Sequence, residues 1–419
     1  MSNKLNVLMV GTGEYTTGFV HNAASKSDKK VGVIALSMMD MRRRGKVGRL
    51  GMVGTNGKKF AAIQAHLDKN VGEVYHMDSS LDRTFPAQDK IDPDAYKEAI
   101  DTFLKKGDAI TIFTPDPTHY TIALYAIERG IHVLVTKPAV KALAEHQDLI
   151  AKAEKHNVVV MVEHHKRFDP AYRDARAKAL TMGDFNYFYG YMSQPKRQLD
   201  TFKSWAGKES DISYYLNSHH IDFHCWALDG RAVPYKVTAS ASRGVATSAP
   251  FELTAETEDT ISLLVNWRST TNNHEGVAVY TSTWIAPNSS EVHSQQRFHY
   301  LGAGGEIQVD QAHRGYTVTT DDAHAHVNPF YMNYAPDEEG HFGGQSGYGI
   351  VSIEKFVDAC NSFNANPDFK LADLEARKLP TIRNTVLVTA ILEAGRRSLD
   401  KQKPIHISQD AQQNWVLED

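Results

Sequence analysis

The stretch Leu5-Asn6-Val7-Leu8-Met9-Val10-Gly11-Thr12-Gly13-Glu14-Tyr15-Thr16 constrains this chain more than any other. An apolar run that breaks into two glycines one residue apart reads as strand, tight turn and helix start. Gly11 and Gly13 let the backbone turn sharply and approach a pyrophosphate, whose charge is met by amides at the start of the following helix. The third small residue of the usual pattern is Thr16, with Gly18 two positions on. Much further along, the apolar run 131–135 ends in Thr136-Lys137-Pro138. A lysine at the carboxyl end of a parallel strand stands where open α/β sheets bind ligands. Pro138 biases Lys137 away from helical geometry. A strand-end lysine is ordinarily just solvated. Partly buried beside a cofactor, it has a lowered pKa and can hold a hydroxyl or carbonyl oxygen.

The segments around these motifs alternate as βαβ units. Residues 5–10, 31–36, 109–113, 131–135 and 158–162 are short apolar runs suited to buried parallel strands. Helices are expected from Thr16 to 25, from Pro93 through Phe103, over 119–129 with Gly130 as cap, and over 142–156. Residues 42–57, polar and spotted with glycine, read as a loop. The result is an N-terminal, doubly wound parallel Rossmann sheet over residues 1–163. After Glu163 the pattern changes to turn-bounded, often alternating runs at 185–192, 233–241, 260–267, 277–284, 296–301, 306–309 and 315–319. Helical segments at 211–228, 351–361 and 379–401 accompany them. Residues 164–419 thus read as an α+β substrate-binding and oligomerisation domain, with a large, mostly antiparallel sheet and helices.

Composition excludes several classes. A net charge of −4, from 46 basic and 50 acidic residues, argues against a nucleic-acid or anionic-membrane partner. No apolar run is long enough to span a bilayer, and strand-like sequence by Asn6 leaves no room for a cleavable signal. Two cysteines make no disulfide framework, so the cytoplasm is the expected location. Among the 20 histidines, His220 and His224 have ligand spacing, but no third ligand follows at a recognisable offset, and no metal is expected. The absence of a Gly-x-Ser-x-Gly elbow leaves a serine hydrolase unsupported.

Ser37 falls near the end of the second strand, 31–36, and is followed by Asp40 and Arg42-Arg43-Arg44. Serine with arginine there accommodates the 2′-phosphate of NADP(H), through Ser37, Arg42 and Arg43. Asp40 in the acidic role would serve NAD(H), so NADP(H) is favoured and both stay open. In the segment Tyr215-Leu216-Asn217-Ser218-His219-His220-Ile221-Asp222, Tyr215 and His219 share a helix face. His219 suits acid/base work near neutral pH, and a tyrosine hydroxyl can donate to a developing alkoxide. Without context, a helical histidine is more often structural.

These residues together resemble the glucose–fructose oxidoreductase/inositol dehydrogenase/rhizopine-catabolism family of NAD(P)-dependent sugar oxidoreductases, over nearly the whole chain. Thr114-Pro115-Asp116-Pro117-Thr118-His119 is similar to the family's strand end beside the nicotinamide. The 130–138 segment is similar to its Glu-Lys-Pro strand, with Thr136 in the glutamate's place. Lys166-Arg167-Phe168-Asp169-Pro170 is similar to its Arg-Phe-x-Pro junction, and 218–222 to its active-site helix with the catalytic histidine. The resemblance implies cofactor contacts from Gly11, Gly13, Glu14, Tyr15, Thr16, Thr114, Pro115, Asp116, His119, Lys137 and Arg167. It implies catalytic roles for Lys137, His219 and Tyr215, and substrate contacts from Lys137, His164, Lys166, Tyr215, Asn217, His219 and His220.

The chain departs from the family at Tyr215, where aspartate is usual, at Asn217, where glycine is, and at Glu163 and His164, where residues are small or apolar. Within the family, the opening Gly-Thr-Gly-Glu-Tyr-Thr-Thr-Gly and the Thr-Lys-Pro turn resemble fungal D-galacturonate reductases. That implies reduction of a uronic acid's C1 aldehyde, D-galacturonate to L-galactonate, with Lys166 and Arg167 meeting the carboxylate. A pentose, diol or inositol-type dehydrogenase, and a non-catalytic dinucleotide-binding regulator, are the alternatives. A homodimer is the assembly the family implies.

Overall fold

Runs of Val, Ile, Leu and Met that bury both faces build one all-parallel, six-stranded sheet. Its strands are β1 (Leu5–Val10), β2 (Val47–Val53), β3 (Arg83–Phe85), β4 (Ala109–Ile112), β5 (His132–Thr136) and β6 (Val160–Glu163). They lie in the order β3-β2-β1-β4-β5-β6. The order reverses beside β1, which opens a crevice at the carboxyl ends of β1 and β4. The structure is a computed structural model and describes residues 4–20, 23–25, 29, 31–322 and 324–419.

Helices cover both faces. The helix Ile34–Arg43 (α2) lies on one, and Ala95–Phe103 (α3), His119–Ile127 (α4) and Leu143–His156 (α5) lie on the other. Behind the glycine turn, α1 is a single turn, Glu14–Thr17, closed by Gly18 at φ 73°. The helix expected from Thr16 to 25 is replaced, among its described residues, by the end of α1 and a short pairing of Phe19–Val20 with Ala23–Ala24; 21–22 lie outside the described residues.

Residues 31–36 are not a strand. They lead into α2, in which every residue from Ile34 to Met41 is buried. A helix buried all round carries a continuous apolar run, and over a few residues that cannot be told from a buried strand. The second strand is Val47–Val53, inside the stretch read as a loop. Gly48 and Gly51 disguise it; a Cβ at Gly51 would press on the Phe103 ring of α3 and on Leu8.

The second sheet has eight strands: β7 (Phe185–Pro195), β8 (Ala232–Ser242), β9 (Thr260–Ser269), β10 (Glu275–Ala286), β11 (Gln295–Gly302), β12 (Gly305–Asp310), β13 (Ile405–Gln409) and β14 (Trp415–Glu418). They lie in the order β12-β11-β7-β10-β9-β8-β13-β14. All neighbours are antiparallel except β7 and β10, which run parallel. The run at 315–319 lies outside this sheet, since Thr317–Thr319 pairs with His324–His326. Helices Pro170–Ala179 (α6), Ser218–Leu228 (α7) and Val386–Lys401 (α9) bury one face around Trp267, Trp284, Phe188 and Phe298. The intervening helix Tyr348–Ala365 (α8) returns to the first sheet, where Ile350, Ile353, Phe356 and Cys360 pack with α2 and β1.

His146 on α5 ties the two parts together. Its Nε2 lies 2.6 Å from the Ile382 carbonyl and its Nδ1 lies 2.7 Å from Thr389 Oγ1 on α9. Nε2–H donates and Nδ1 accepts, which is the neutral tautomer. Burial pushes its pKa down to about 4. His164 is also held down to about 4 by burial, although Asp222 pulls the other way. Both folded values lie below the unfolded value of 6.5, so the stability they contribute is complete above pH 6.5 and lost as pH falls toward 4. The loss is of order 3 kcal/mol for each. Thermal unfolding followed between pH 7 and pH 4.5 is expected to show a falling Tm, with a shallower fall in His146→Gln. A flat profile would contradict the buried neutral state.

Candidate active site

One cavity of about 1880 Å³ runs from the glycine turn to the face of the second sheet. Its first-domain wall includes Gly11, Gly13, Glu14, Tyr15, Thr114, Pro115, Asp116 and Lys137. Gly11 has φ 108°, and a Cβ there would run into the Phe113 carbonyl. At Gly13 a Cβ would meet nothing within 4 Å, so the turn leaves open space along the backbone. That space fits a pyrophosphate approaching the amides, although the single-turn α1 offers little helix dipole behind them. Tyr15 stacks on Phe113 at 5.1 Å, and the Tyr331 hydroxyl donates to the Tyr15 hydroxyl. Burial, reinforced by Glu163, pushes the Tyr15 phenol well up.

Lys137 lies where β5 meets the second domain. Its Nζ donates to the Tyr215 carbonyl and sits 4.3 Å over the Tyr215 ring. Burial pushes its pKa down to about 8, against the upward pull of Asp116 and Glu163. His119 sets the surrounding turns, its ring nitrogens lying 3.0 Å from the Pro138 carbonyl and 2.8 Å from the Thr114 carbonyl.

Opposite, Ser213–Asn217 is wound wider than an α-helix and runs into α7. Such widened turns occur often at functional sites. Tyr215 packs beside Phe202 and Trp205, and Gln194 Nε2 donates to its hydroxyl at 3.3 Å. His219 reaches the cavity with its Nδ1 buried and unpartnered. Burial, with Lys137, His165, Lys166 and His164 around it, holds its pKa well below the usual imidazole range. His219 is therefore neutral at pH 7. On the cavity wall it faces Lys137, whose pKa of about 8 lies about one unit above neutrality.

Several expected contacts do not reach this cavity. Ser37 is buried inside α2 and donates to the Val33 carbonyl. Arg42 is held by the Ser80 and Asp78 carbonyls and the Asp78 carboxylate, and Arg43 by buried Asp40. They ride on α2, not on a strand end, so the 2′-phosphate role assigned to them fails. Arg167 is a buried structural residue, paired with Asp222 at 2.6 and 2.9 Å and capping the Lys378 and Asn384 carbonyls. Thr16, His119, His164, Asn217 and His220 are all buried off the cavity wall. Asn217 donates to Ser213 Oγ, and His220 Nε2 meets the Tyr172 hydroxyl. Lys166 stands one layer behind the wall, donating to Gln296, which lines it; burial lowers its pKa to about 7.

Other wall residues escaped the sequence reading. Thr55 and Lys59 line the cavity just past β2, and correct placement of that strand would have found them. His165, Gln194, Gln296 and Tyr331 line it too, with no motif to mark them, and so does Glu163, which the sequence marked only as a departure from the family pattern. On the rim, Glu291, His313 and His326 bring ligand-type atoms within 4.8 Å of one another. These atoms pair among themselves and with Asp310.

A six-stranded parallel sheet with a glycine turn at its switch point, facing a second sheet across one cavity, defines a Rossmann architecture joined to a mixed, mostly antiparallel sheet. Residues 46–164 match the Gfo/Idh/MocA oxidoreductase family, NAD-binding Rossmann fold. It is similar to UDP-N-acetylglucosamine 3-dehydrogenase of Acidithiobacillus ferrooxidans, 31% identical over 129 residues, which cover 30% of this chain and 37% of that protein. It is similar to scyllo-inositol 2-dehydrogenase (NAD(+)) of Bacillus subtilis, 35% identical over 86 residues, covering 20% and 25%. The matches thus span well under half the length of these curated relatives. The fold is shared over 97% of the chain with the crystal structure of myo-inositol 2-dehydrogenase from Lactobacillus plantarum, all of which is covered, at TM-score 0.65 and 16% identity. No helix among the described residues is long and apolar enough to cross a membrane.

The reassignment of Arg167 can be tested through its partner. Asp222→Asn would leave a buried guanidinium without its countercharge, a loss of about 3–5 kcal/mol. Denaturant unfolding should register that loss, while the folded fraction keeps its cofactor affinity. Weakened cofactor binding at unchanged stability would restore Arg167 as a cofactor ligand.

Proposed function

We propose that this protein is an NAD(P)(H)-dependent oxidoreductase that acts at a carbonyl or hydroxyl carbon of a sugar or sugar acid. The observation that carries the reading is the placement of Lys137. A buried lysine with a pKa near 8 shares one cavity with the glycine turn and faces Tyr215 and His219. The nicotinamide, when bound, supplies or accepts the hydride. Lys137, charged at pH 7, orients the substrate oxygen and gives it a proton during carbonyl reduction. His219, neutral, hydrogen-bonds the same oxygen, and Tyr215 closes the pocket from the second domain. A dinucleotide-binding regulator needs no such buried ammonium.

Lys137→Met should lower kcat at least about a hundredfold and leave cofactor affinity within a few fold, because the charge acts mainly in the transition state. Steady-state rates and cofactor titration check this, with uronic acids, aldoses and inositols as substrates. An active Lys137→Met protein would contradict the role.

The substrate we favour within this class is D-galacturonate, reduced at its C1 aldehyde to L-galactonate. Support comes from the substrate wall, where Gln194, Gln296, Tyr215 and His219 offer neutral donors, with the Lys166 ammonium behind Gln296. A carboxylate at position 215 would repel a uronate in this low-dielectric pocket, and tyrosine does not. We further propose pairing of two copies through the open face of the second sheet, which presents Tyr187, Tyr189, Tyr191 and Leu264.

For the cofactor we propose NADPH, on different residues from the arginines of α2. Past β2 the chain reads Gly54-Thr55-Asn56-Gly57-Lys58-Lys59, with no carboxylate to bond a ribose 2′-hydroxyl. Thr55 and Lys59 line the cavity, and Asn56 caps the turn by accepting from the Lys58 amide. A hydroxyl and lysines in that place suit a 2′-phosphate. Lys58→Ala/Lys59→Ala should raise KM for NADPH about tenfold, roughly 1.4 kcal/mol, and KM for NADH less than twofold. Equal effects on both would overturn this assignment.

A further inference from the structure

Glu163 ends β6 directly beside Thr136, the residue before Lys137 and its register partner across the parallel pair. Its side chain is 2% exposed. A buried carboxylate is costly unless charge and hydrogen bonds compensate it. Here Ser352 Oγ on α8 donates to Oε1 at 2.9 Å, and His165 Nδ1 lies 3.1 and 3.2 Å from the two oxygens. Among the described residues no lysine or arginine nitrogen pairs with it, and its countercharge is Lys137 across the cavity wall. His165 is held by ring contacts with His219 at 5.1 Å, Tyr331 at 5.4 Å and Tyr348 at 5.6 Å. Since Nδ1–H is given to the carboxylate, the ring's orientation and tautomer are fixed.

We propose that Glu163 is the positioning carboxylate of this site: it fixes His165 against His219 and supplies the negative charge that faces Lys137. It acts through these neighbours and touches no reacting atom. The assignment rests on the reading of Lys137 as the charged group at the substrate oxygen. Other charged and titratable groups facing Lys137 are Asp116 from the turn after β4, Lys29, His164 and Lys166 after β6, and His219 from α7. Only Asp116 shares the sign of Glu163, and the two histidines are neutral at pH 7, so removing Glu163 leaves Asp116 as the one carboxylate set against the Lys29 cation. The ammonium is then harder to keep, and its titration moves down.

The sign of the pH effect follows. Carbonyl reduction needs the charged lysine, so kcat falls as pH rises through the Lys137 pKa. In Glu163→Gln that descending limb should move about one unit lower, with cofactor KM within twofold. Thr136→Glu in the same background returns a carboxylate to the adjoining strand end and should move the limb back. Ser352→Ala removes only the tether to α8 and should leave the limb in place. A wild-type limb in Glu163→Gln, or the same displacement in Ser352→Ala, would overturn the proposal. If Glu163→Gln fails to fold, Thr136→Glu alone should raise the limb, and an unmoved limb there would equally overturn it. Following Lys137 directly by NMR of lysine-labelled protein gives the same comparison without substrate. Failure of the Lys137 reading would appear separately, as turnover that survives Lys137→Met.

Discussion

The burial of one ammonium group between two domains organises this molecule. Lys137 leaves the end of β5, crosses to the second domain and donates to the Tyr215 carbonyl. An amine there must lie in a low-dielectric wall, and its charged form survives only because a carbonyl, an aromatic face and two carboxylates compensate it. The widened turn at 213–217 presents the carbonyl, and the last residue of β6 presents one of the carboxylates. His119, by bridging the Thr114 and Pro138 carbonyls, ties together the two turns that set the lysine's direction.

The same burial sorts the histidines. His146, His164, His219, His220 and His224 all have depressed pKa values, for which burial is the first cause. Most are used as neutral hydrogen-bonding wedges in the packing, such as His224, which meets the Tyr280 hydroxyl at 2.6 Å. A chain rich in histidine therefore need not be rich in acid/base groups. The cavity sets a neutral imidazole, His219, against a cation whose pKa is close to working pH.

The strands of the first domain were legible wherever apolar runs were bounded by glycine or proline, as at β4 and β5. It was misread at 31–57, because α2 is buried on all sides and β2 carries two glycines and an arginine. That one exchange of helix for strand carried Ser37, Arg42 and Arg43 into a cofactor role they cannot fill. The alternation of the second sheet showed most of its strands but not the last two, β13 and β14, which are short and lie at its edge. Motif spacing named Lys137, Tyr215 and His219, which do line one cavity. The family resemblance also named Arg167, Asn217 and His220, whose polar groups are spent on buried partners that no local pattern reveals. Glu163 stood out in the sequence only as a departure from the family pattern; what it and His165 do depends on ring contacts and strand register, which one dimension does not show.

The central claim is that Lys137 is a buried, titratable cation in the cofactor cavity, and its own titration tests this most directly. NMR of protein carrying labelled lysine, with the signal assigned by its loss in Lys137→Met, gives the midpoint. The account expects a midpoint near 8. A midpoint near the ordinary lysine value of 10.5 would show a solvated lysine and contradict this.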